Sequence, residues 1–235
     1  MVKPIRILGV LPLAGSGVRL GADFHKSLMP FPIPNTLELK PIVDFSIQRL
    51  RLVAEDIVAV VSAESQHPFP ADKFDVIPLH KPSQGEASSS ISFAAEYAIS
   101  KDYSHLAISL PDTYWEPLNG FVLLKDYLLQ NTNRDLDGAL GLFLGDVTML
   151  DQVVVGLEDA VVDITTRGNQ YAAVETGWGW GCFILSAEKA LLFNDDSSWA
   201  LNILKAKVAG VKLQGRYLDI GSPSRYINAL KSVLL

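Results

Sequence analysis

The feature that most constrains the fold of this chain is the alternation of short apolar runs with segments whose apolar residues recur at helical spacing. Ile57–Val61 is a β-branched run of five residues, a length and composition typical of a buried strand. Across Pro41–Val53, apolar side chains recur three or four positions apart and would share one face of a helix. Strands that alternate with helices predict a mostly parallel sheet with helices on both faces.

The same reasoning assigns elements along the whole chain. The predicted strands are Ile5–Leu11, Ile57–Val61, Phe74–Leu79, Leu106–Leu110, Ala139–Leu144, Gln152–Leu157, Ala160–Thr165 and Val211–Ile220. The predicted helices are Pro41–Val53, Ser88–Ile99, Phe121–Leu129, Ala187–Phe193, Trp199–Val208 and Ser224–Leu235. No linker or repeat divides them, so we predict a single α/β domain over residues 1–235, with a β-rich insert at about 139–185.

Composition and charge exclude several classes of protein. With 49% hydrophobic residues the chain can bury a core, which argues against disorder. A net charge of −6 argues against a duplex-DNA or anionic-membrane binder, so we expect neither a nucleic-acid nor a membrane partner. Cys182 is the one cysteine, which excludes a disulfide framework or a multi-thiolate zinc site within the chain and fits the cytoplasm as the expected location. The four histidines lack metal-ligand spacing, and we interpret each as a loop or surface residue.

The segment after the first strand carries glycines and cations that suit a polyphosphate. Residues 12–20 read Pro-Leu-Ala-Gly-Ser-Gly-Val-Arg-Leu, and glycines let backbone N–H groups approach a ligand closely. Arg19 and Lys26 add two positive charges. The segment is not a P-loop, because His25 stands where that motif needs glycine, and Leu20 replaces the third glycine of a dinucleotide fingerprint. An ordinary glycine turn after a strand stays open as the alternative.

Two aspartates follow predicted strands and suggest a metal site. Asp112 comes after Leu106–Leu110 and a single proline, and Asp219 lies near the end of Val211–Ile220. If both strands run the same way in one sheet, both carboxylates project at the same edge. Mg²⁺ is usually held by one or two carboxylates together with phosphate oxygens. A simple turn role for Asp112 remains the alternative, since Pro-Asp-Thr is a common turn signal.

Three segments, in order along the chain, resemble the nucleotidyltransferases that make nucleotide sugars. The glycine loop resembles the family's Leu-Ala-Ala-Gly-x-Gly-Thr-Arg-Leu followed by Pro-Lys-x-Leu, with departures at Pro12, Leu13, Val18 and His25. Gln84-Gly85 is similar to the family's Gln…Gly-Thr-Ala element. Residues 217–223, Tyr-Leu-Asp-Ile-Gly-Ser-Pro, resemble Trp-x-Asp-Ile-Gly-Thr-Pro.

The resemblance implies a Rossmann-like fold of the nucleotide-diphospho-sugar transferase type and a Mg²⁺-dependent reaction. A sugar 1-phosphate would attack the α-phosphorus of a nucleoside triphosphate, and pyrophosphate would leave. Arg19 and Lys26 would be the catalytic cations, and Asp112 and Asp219 would hold Mg²⁺. The expected nucleotide-binding residues are Leu13, Ala14, Gly15, Ser16, Gly17, Gln84 and Gly85.

The acceptor side departs from the family pattern. Arg167 stands in a Thr-Arg-Gly run where the family often has Glu-Lys-Pro, and Glu175 precedes the run Trp178-Gly-Trp180. We take Arg167, Glu175 and Trp180 as candidate acceptor-binding residues, with a core role for Trp180 and a surface role for Glu175 as alternatives. Two other functions stay open: nucleotidyl transfer to a non-sugar phosphate, and a catalytically silent nucleotide-binding protein on the same fold. The base, the acceptor and any oligomeric state are also left open.

Overall fold

A computed structural model describes residues 5–15, 24–34, 36, 38–82, 87–144, 151–165, 177–193 and 199–234 of the chain. The strands are β1 (Ile7–Pro12), β2 (Pro30–Pro32), β3 (Leu39–Pro41), β4 (Asp56–Ser62), β5 (Ile77–Lys81), β6 (His105–Ser109), β7 (Thr113–Trp115), β8 (Gly138–Leu144), β9 (Gln152–Val155), β10 (Val161–Thr165), β11 (Trp178–Ser186), β12 (Val208–Lys212) and β13 (Tyr217–Asp219). The helices are α1 (Ile42–Leu50), α2 (Ala87–Ser100), α3 (Gly120–Gln130), α4 (Ala187–Ala190), α5 (Trp199–Leu204) and α6 (Pro223–Leu234).

One mixed sheet contains nine of these strands. The order β10-β9-β11-β6-β1-β4-β5 forms its main path, with β8 on the other side of β11 and β12 beside β8. Strands β5, β4, β1 and β6 are mutually parallel, β11 is antiparallel to both β6 and β8, and β12 is parallel to β8. The carboxyl ends of β1 and β6 therefore lie at the same edge, which is where ligands bind in open α/β sheets.

Buried side chains of β1 point alternately to the two faces of the sheet. Leu8 and Val10 join the core beneath α2, α4 and α5, whereas Ile7 and Leu11 join the core beneath α1 and α3. Each fully buried aliphatic side chain of this kind stabilises the fold by roughly 1.5–3 kcal/mol. Because helices cover both faces of the sheet, the central strands are shielded from water. The loops that follow these strands therefore lie at the edge of the sheet.

The predicted fold class is confirmed, with one strand assigned wrongly. The mostly parallel mixed sheet flanked by helices is present, and strands β8 to β11 occupy the predicted β-rich stretch. The predicted strand Phe74–Leu79 is displaced to Ile77–Lys81, and the helix predicted to reach Val208 ends at Leu204. The single predicted strand Val211–Ile220 is wrong, because the chain leaves the main sheet after Lys212 and enters a separate ribbon as β13.

A close approach of two backbones explains this division. A Cβ atom on Gly215 would lie 2.3 Å from the carbonyl oxygen of Glu116, so the turn between β12 and β13 presses directly on the chain that follows β7. Strand β13 then pairs antiparallel with β7, with Asp219 opposite Thr113. Apolar residues on both sides of Gly215, at Val211 and Leu213 and again from Tyr217 to Ile220, made the two strands look continuous.

Helix α6 covers the outer side of this ribbon. Ala229 packs in a third cluster with Phe31 of β2, Tyr114 of β7 and Ile220. Within the described ranges, every helix is too short or too polar to cross a bilayer.

Candidate active site

Lys26 begins a short 3-10 helix, Lys26–Leu28, near the end of β1. Its Nζ lies 2.6 Å from Oδ2 of Asp112. The side chain of Lys26 is 21% exposed and that of Asp112 is 17% exposed, so the ion pair is partly shielded from solvent and stronger than a surface pair. The ammonium is thereby held at the edge where β1 and β6 end.

Asp112 lies in the tight turn between β6 and β7. The hydroxyls of Ser46 and Thr113 both donate to the carbonyl of Leu110, at 3.1 and 2.9 Å. The backbone N–H of Ile220 donates to the carbonyl of Asp112 at 3.1 Å. These three hydrogen bonds fix the turn and tie it to the end of the β13 ribbon.

Asp219 ends β13 and is held from two directions. Its Oδ1 accepts the backbone N–H of Gly221 at 2.7 Å, as in an Asx turn. Its Oδ2 accepts from Nη1 of Arg225 in the first turn of α6. The side chain of Asp219 is 12% exposed.

The two carboxylates meet at Gly221. A Cβ atom at this glycine would lie 3.0 Å from Oδ1 of Asp219 and 3.4 Å from Oδ2 of Asp112, so both oxygens border the same small space. The predicted convergence of Asp112 and Asp219 is present, although it is achieved by the antiparallel β7–β13 ribbon and not by parallel strands of the main sheet. Any larger residue at position 221 would push into this space.

The donor set fits one kind of metal ion. The described residues contain no cluster of three or more His, Cys, Asp or Glu that could enclose a cation. Two carboxylates that border the same small space suit Mg²⁺, which usually takes one or two protein oxygens and completes its shell with phosphate and water. They do not suit a closed structural site such as that of zinc.

His25 links the glycine loop to Lys26. Its Nε2 lies 3.2 Å from the carbonyl of Leu13, and its Nδ1 lies 2.7 Å from Oγ of Ser27. The surrounding geometry fits a neutral ring that donates from Nε2 and accepts at Nδ1. Burial lowers the pKa of His25, and the nearby charge of Lys26 acts in the same direction. His25 lies in a loop, as one of its two interpretations expected, and its side chain is buried instead of lying at the surface.

Arg49 and Arg225 are functional candidates that sequence reasoning missed. Arg49 is buried in α1, lies 4.4 Å from the ring centroid of Trp115, and donates from Nη2 to the Trp115 carbonyl. Burial lowers its pKa to about 10. Arg49 therefore braces the strand that follows Asp112. An arginine in an apolar helical face was a signal for Arg49, whereas nothing local in the sequence distinguishes Arg225.

The remaining predicted site residues divide into four groups. Leu13 and Ala14 have buried side chains, and the Leu13 N–H donates to the carbonyl of Val60 at 2.8 Å, so that N–H is committed to the sheet. None of the described residues lies within 4 Å of a Cβ built on Gly15. Trp180 donates from Nε1 to Asp151 at 3.4 Å and packs against the core. Seven predicted residues lie outside the described residues: Ser16, Gly17, Arg19, Gln84, Gly85, Arg167 and Glu175.

Among known proteins, this chain is similar to solved structures and not to known sequences. No protein-family model and no curated protein sequence matches it. A UDP-glucose pyrophosphorylase from Acinetobacter baumannii superposes with a TM-score of 0.73 at 16% identity, covering 96% of this chain and 92% of that one. A UTP-bound UGPase from the same organism gives 0.72 at 15% identity, with coverage of 97% and 93%. HddC from Yersinia pseudotuberculosis gives 0.67 at 19% identity, with coverage of 97% and 99%.

These matches extend over nearly the whole length of both chains in each comparison. At such low sequence identity they show a shared fold and nothing beyond it. The nucleotide-diphospho-sugar transferase type of fold expected from the sequence is thereby confirmed. This chain has the fold of the sugar-1-phosphate nucleotidyltransferases.

Proposed function

We propose that this chain transfers a nucleotidyl group from a nucleoside triphosphate to a sugar 1-phosphate and releases pyrophosphate. The observation that carries the proposal is the meeting of three charged side chains at the edge of the sheet. Lys26 lies on Asp112, and Asp112 and Asp219 border the same space at Gly221. These residues are separated by most of the chain, and this fold brings them together.

The reaction needs positioned charge and no covalent nucleophile on the protein. An oxygen of the acceptor phosphate attacks the α-phosphorus, and the bond from that phosphorus to the bridging oxygen of pyrophosphate breaks. Negative charge shifts onto phosphate oxygens as this happens, so placed cations lower the barrier. Lys26 is partly buried and aimed at the site, and would contact the α-phosphate or the acceptor phosphate. Arg19 would hold the leaving β- and γ-phosphates.

Asp112 and Asp219 would hold a Mg²⁺ ion, which when bound supplies a Lewis acid beside the reacting phosphates. The hydrogen bonds that fix the Asp112 turn and the Gly221 N–H on Asp219 orient both carboxylates before substrate arrives. Preorganised charge of this kind avoids the cost of reorganisation during the reaction.

The glycine loop and the acceptor residues complete the proposal. No described residue lies within 4 Å of a Cβ built on Gly15, so the backbone around Gly15, Ser16 and Gly17 is proposed to approach the phosphates. Gln84 and Gly85 would read the base, because a glutamine amide both donates and accepts hydrogen bonds. Arg167, Glu175 and Trp180 remain proposed contacts to the acceptor.

An assay of pyrophosphate release tests the function. The purified chain is incubated with Mg²⁺, each of the four nucleoside triphosphates, and a panel of sugar 1-phosphates and phospho-alcohols. UTP and GMP-PN are the nucleotides seen in two of the similar structures, a UGPase and HddC, so uridine and guanosine triphosphates come first. Turnover with a sugar 1-phosphate is expected. Turnover with phospho-alcohols alone would change the acceptor class, and triphosphate binding without any turnover would indicate a silent protein.

Asp112→Asn is the variant that connects turnover to the site. The substitution keeps the shape of the side chain and removes the charge that would hold Mg²⁺, so Mg²⁺-dependent turnover is expected to fall on the order of 10²–10³-fold or more. Circular dichroism and thermal unfolding would show whether the variant is folded. A folded variant with unchanged turnover would remove Asp112 from the site.

A further inference from the structure

Both carboxylates of the proposed metal site carry a cation of the protein itself. Lys26 occupies Oδ2 of Asp112 at 2.6 Å, and Arg225 occupies Oδ2 of Asp219. The side chain of Arg225 is 25% exposed and that of Asp219 is 12% exposed. A pair shielded to this degree interacts more strongly than the usual surface pair, which is worth about 0–1 kcal/mol.

The position of Arg225 is fixed by the fold. It lies in the first turn of α6, directly after the Gly221 turn, where the Tyr226 N–H donates to the Ser222 carbonyl at 2.9 Å. The Tyr226 hydroxyl donates to the carbonyl of Pro30 and holds this end of the helix against β2. The guanidinium therefore reaches Asp219 from a rigid base, unlike an arginine on a mobile surface.

A divalent cation and Arg225 compete for the same carboxylate. Oδ1 of Asp219 already accepts the backbone N–H of Gly221, and Oδ2 accepts from Arg225. A dication at either oxygen would lie within a few ångströms of the guanidinium and would repel it. The backbone N–H is held by the turn, so the long side chain of Arg225 is the group that can move away.

The sum of the charges at the two carboxylates also disfavours a divalent ion that binds alone. Two carboxylates and two protein cations sum to zero in the described part of the site. A divalent ion entering alone would leave two uncompensated positive charges in a partly buried cleft. A triphosphate brings enough negative charge to accept both the ion and the displaced side chains.

Resting on the proposed function, we propose that Arg225 is an internal counter-ion of the metal site that exchanges with the divalent cation when the triphosphate binds. Arg225 leaves Asp219 and passes to a phosphate oxygen, while the cation takes its place on the carboxylate. The chain then binds the metal together with the triphosphate and resists binding the metal alone. Arg225 acts in this way as a positioning and charge-exchange residue.

Titration of the full-length chain with Mn²⁺ alone, followed by electron paramagnetic resonance, tests the exchange without any turnover. Arg225→Gln removes the competing charge, so the dissociation constant for Mn²⁺ is expected to fall on the order of tenfold relative to wild type. The double variant with Asp219→Asn should lose this gain. Affinity for a non-hydrolysable triphosphate in the presence of Mn²⁺ should fall severalfold in Arg225→Gln, because a phosphate contact is lost.

Arg216→Gln is the matched control. Arg216 also pairs with a carboxylate near the ribbon, Glu116 at 3.3 Å, yet neither residue borders the Gly221 space, so Mn²⁺ affinity should match wild type. A folded Arg225→Gln protein that binds Mn²⁺ no more tightly than wild type would overturn the exchange. If that variant is unstable, Arg225→Met keeps the aliphatic stem and is judged by the same criterion.

The metal titration and the turnover assay separate the two proposals. Tightened Mn²⁺ binding in Arg225→Gln with no pyrophosphate release from wild type would refute the proposed enzyme and retain the competition at Asp219. Pyrophosphate release from wild type with unchanged Mn²⁺ binding in Arg225→Gln would retain the enzyme and refute the exchange.

Discussion

His25 stands where the sequence resemblance expects a proline, and its backbone adopts a conformation that proline also adopts. Its φ is −60° and its ψ is 125°, close to the values of polyproline conformation. The side chain adds what a proline lacks, namely hydrogen bonds to Leu13 and Ser27 on both sides. The substitution therefore preserves the path into Lys26. Sequence reasoning could flag the departure but could not show that the ring is buried, since burial depends on Phe69, 44 residues further along the chain.

Because His25 is buried as a neutral ring, acid should destabilise the fold. Burial lowers its pKa in the folded state below the ordinary 6.5, so the unfolded chain binds more protons as the pH falls. The stability it contributes is present above about pH 6.5 and is lost as the pH falls toward the folded pKa. The hydrogen bond to the Leu13 carbonyl opposes this lowering of the pKa, as does the charge of Asp112, whereas Lys26 and His67 act in the same direction as burial.

Urea unfolding between about pH 5.5 and 7.5 measures this effect. His25→Gln keeps a donor and an acceptor without the titration, so its free energy of unfolding should depend less steeply on pH than that of wild type. His105, whose pKa burial also lowers, leaves some slope in the variant. His80→Gln, at an exposed position of β5, should retain the wild-type slope. Identical slopes for wild type and His25→Gln would rule out this role.

At the scale of elements, the two-stranded ribbon of β7 and β13 decides where the site forms. Pairing of Asp219 with Thr113 sets Asp219 beside Asp112, and the Ile220 N–H closes the end of the ribbon on the Asp112 carbonyl. Most longer elements could be predicted from the periodicity of their apolar residues. The ribbon could not, because three-residue strands carry too little pattern, and their pairing depends on contacts made across about 100 residues of sequence.

Gly215→Ala should disturb this ribbon. A Cβ at this position would meet the Glu116 carbonyl oxygen at 2.3 Å, and backbone cannot rotate away as a side chain can. We expect a loss of roughly 1–3 kcal/mol in the free energy of unfolding, measured by urea denaturation, together with weaker Mn²⁺ binding as Asp219 shifts. Gly15→Ala is the matched substitution for stability, since its Cβ would meet none of the described residues within 4 Å. Equal stability of the two variants would show that the ribbon is not constrained at Gly215.

At the scale of the whole molecule, one side of the sheet consists of parallel strands and the other side contains antiparallel pairs. The parallel order β5-β4-β1-β6 follows from strand–helix alternation and was predictable. The antiparallel β11, inserted between β6 and β8, was not. A strand that is covered on both faces is apolar along its whole length. Its sequence therefore does not indicate whether it runs parallel or antiparallel to its neighbours. Cys182 of β11, which pairs with Ser109 at the end of β6, is buried there.

The proposed exchange of Arg225 for a divalent ion at Asp219 should also change the thermal stability of the whole chain. A ligand that binds only the folded state stabilises it by about 2.7 kcal/mol at one hundred times its dissociation constant. For a chain of 235 residues this corresponds to a rise in Tm on the order of 5–10 °C. Since the divalent ion and the triphosphate compensate each other's charge, we expect this rise with both present and a much smaller one with Mg²⁺ alone.

Thermal unfolding of the full chain with Mg²⁺, with triphosphate, and with both measures this coupling. Asp112→Asn removes one of the carboxylates that would hold the ion, so the joint rise should shrink to that given by triphosphate alone. Asp75→Asn is the control: Asp75 has a fully exposed side chain 3.8 Å from Arg51 and a left-handed φ of 52° that asparagine tolerates. The contrary outcome is a rise in Tm with Mg²⁺ alone that is as large as the rise with both ligands. The site would then need no phosphate to balance the charge of the ion, and the ion would bind without displacing Arg225.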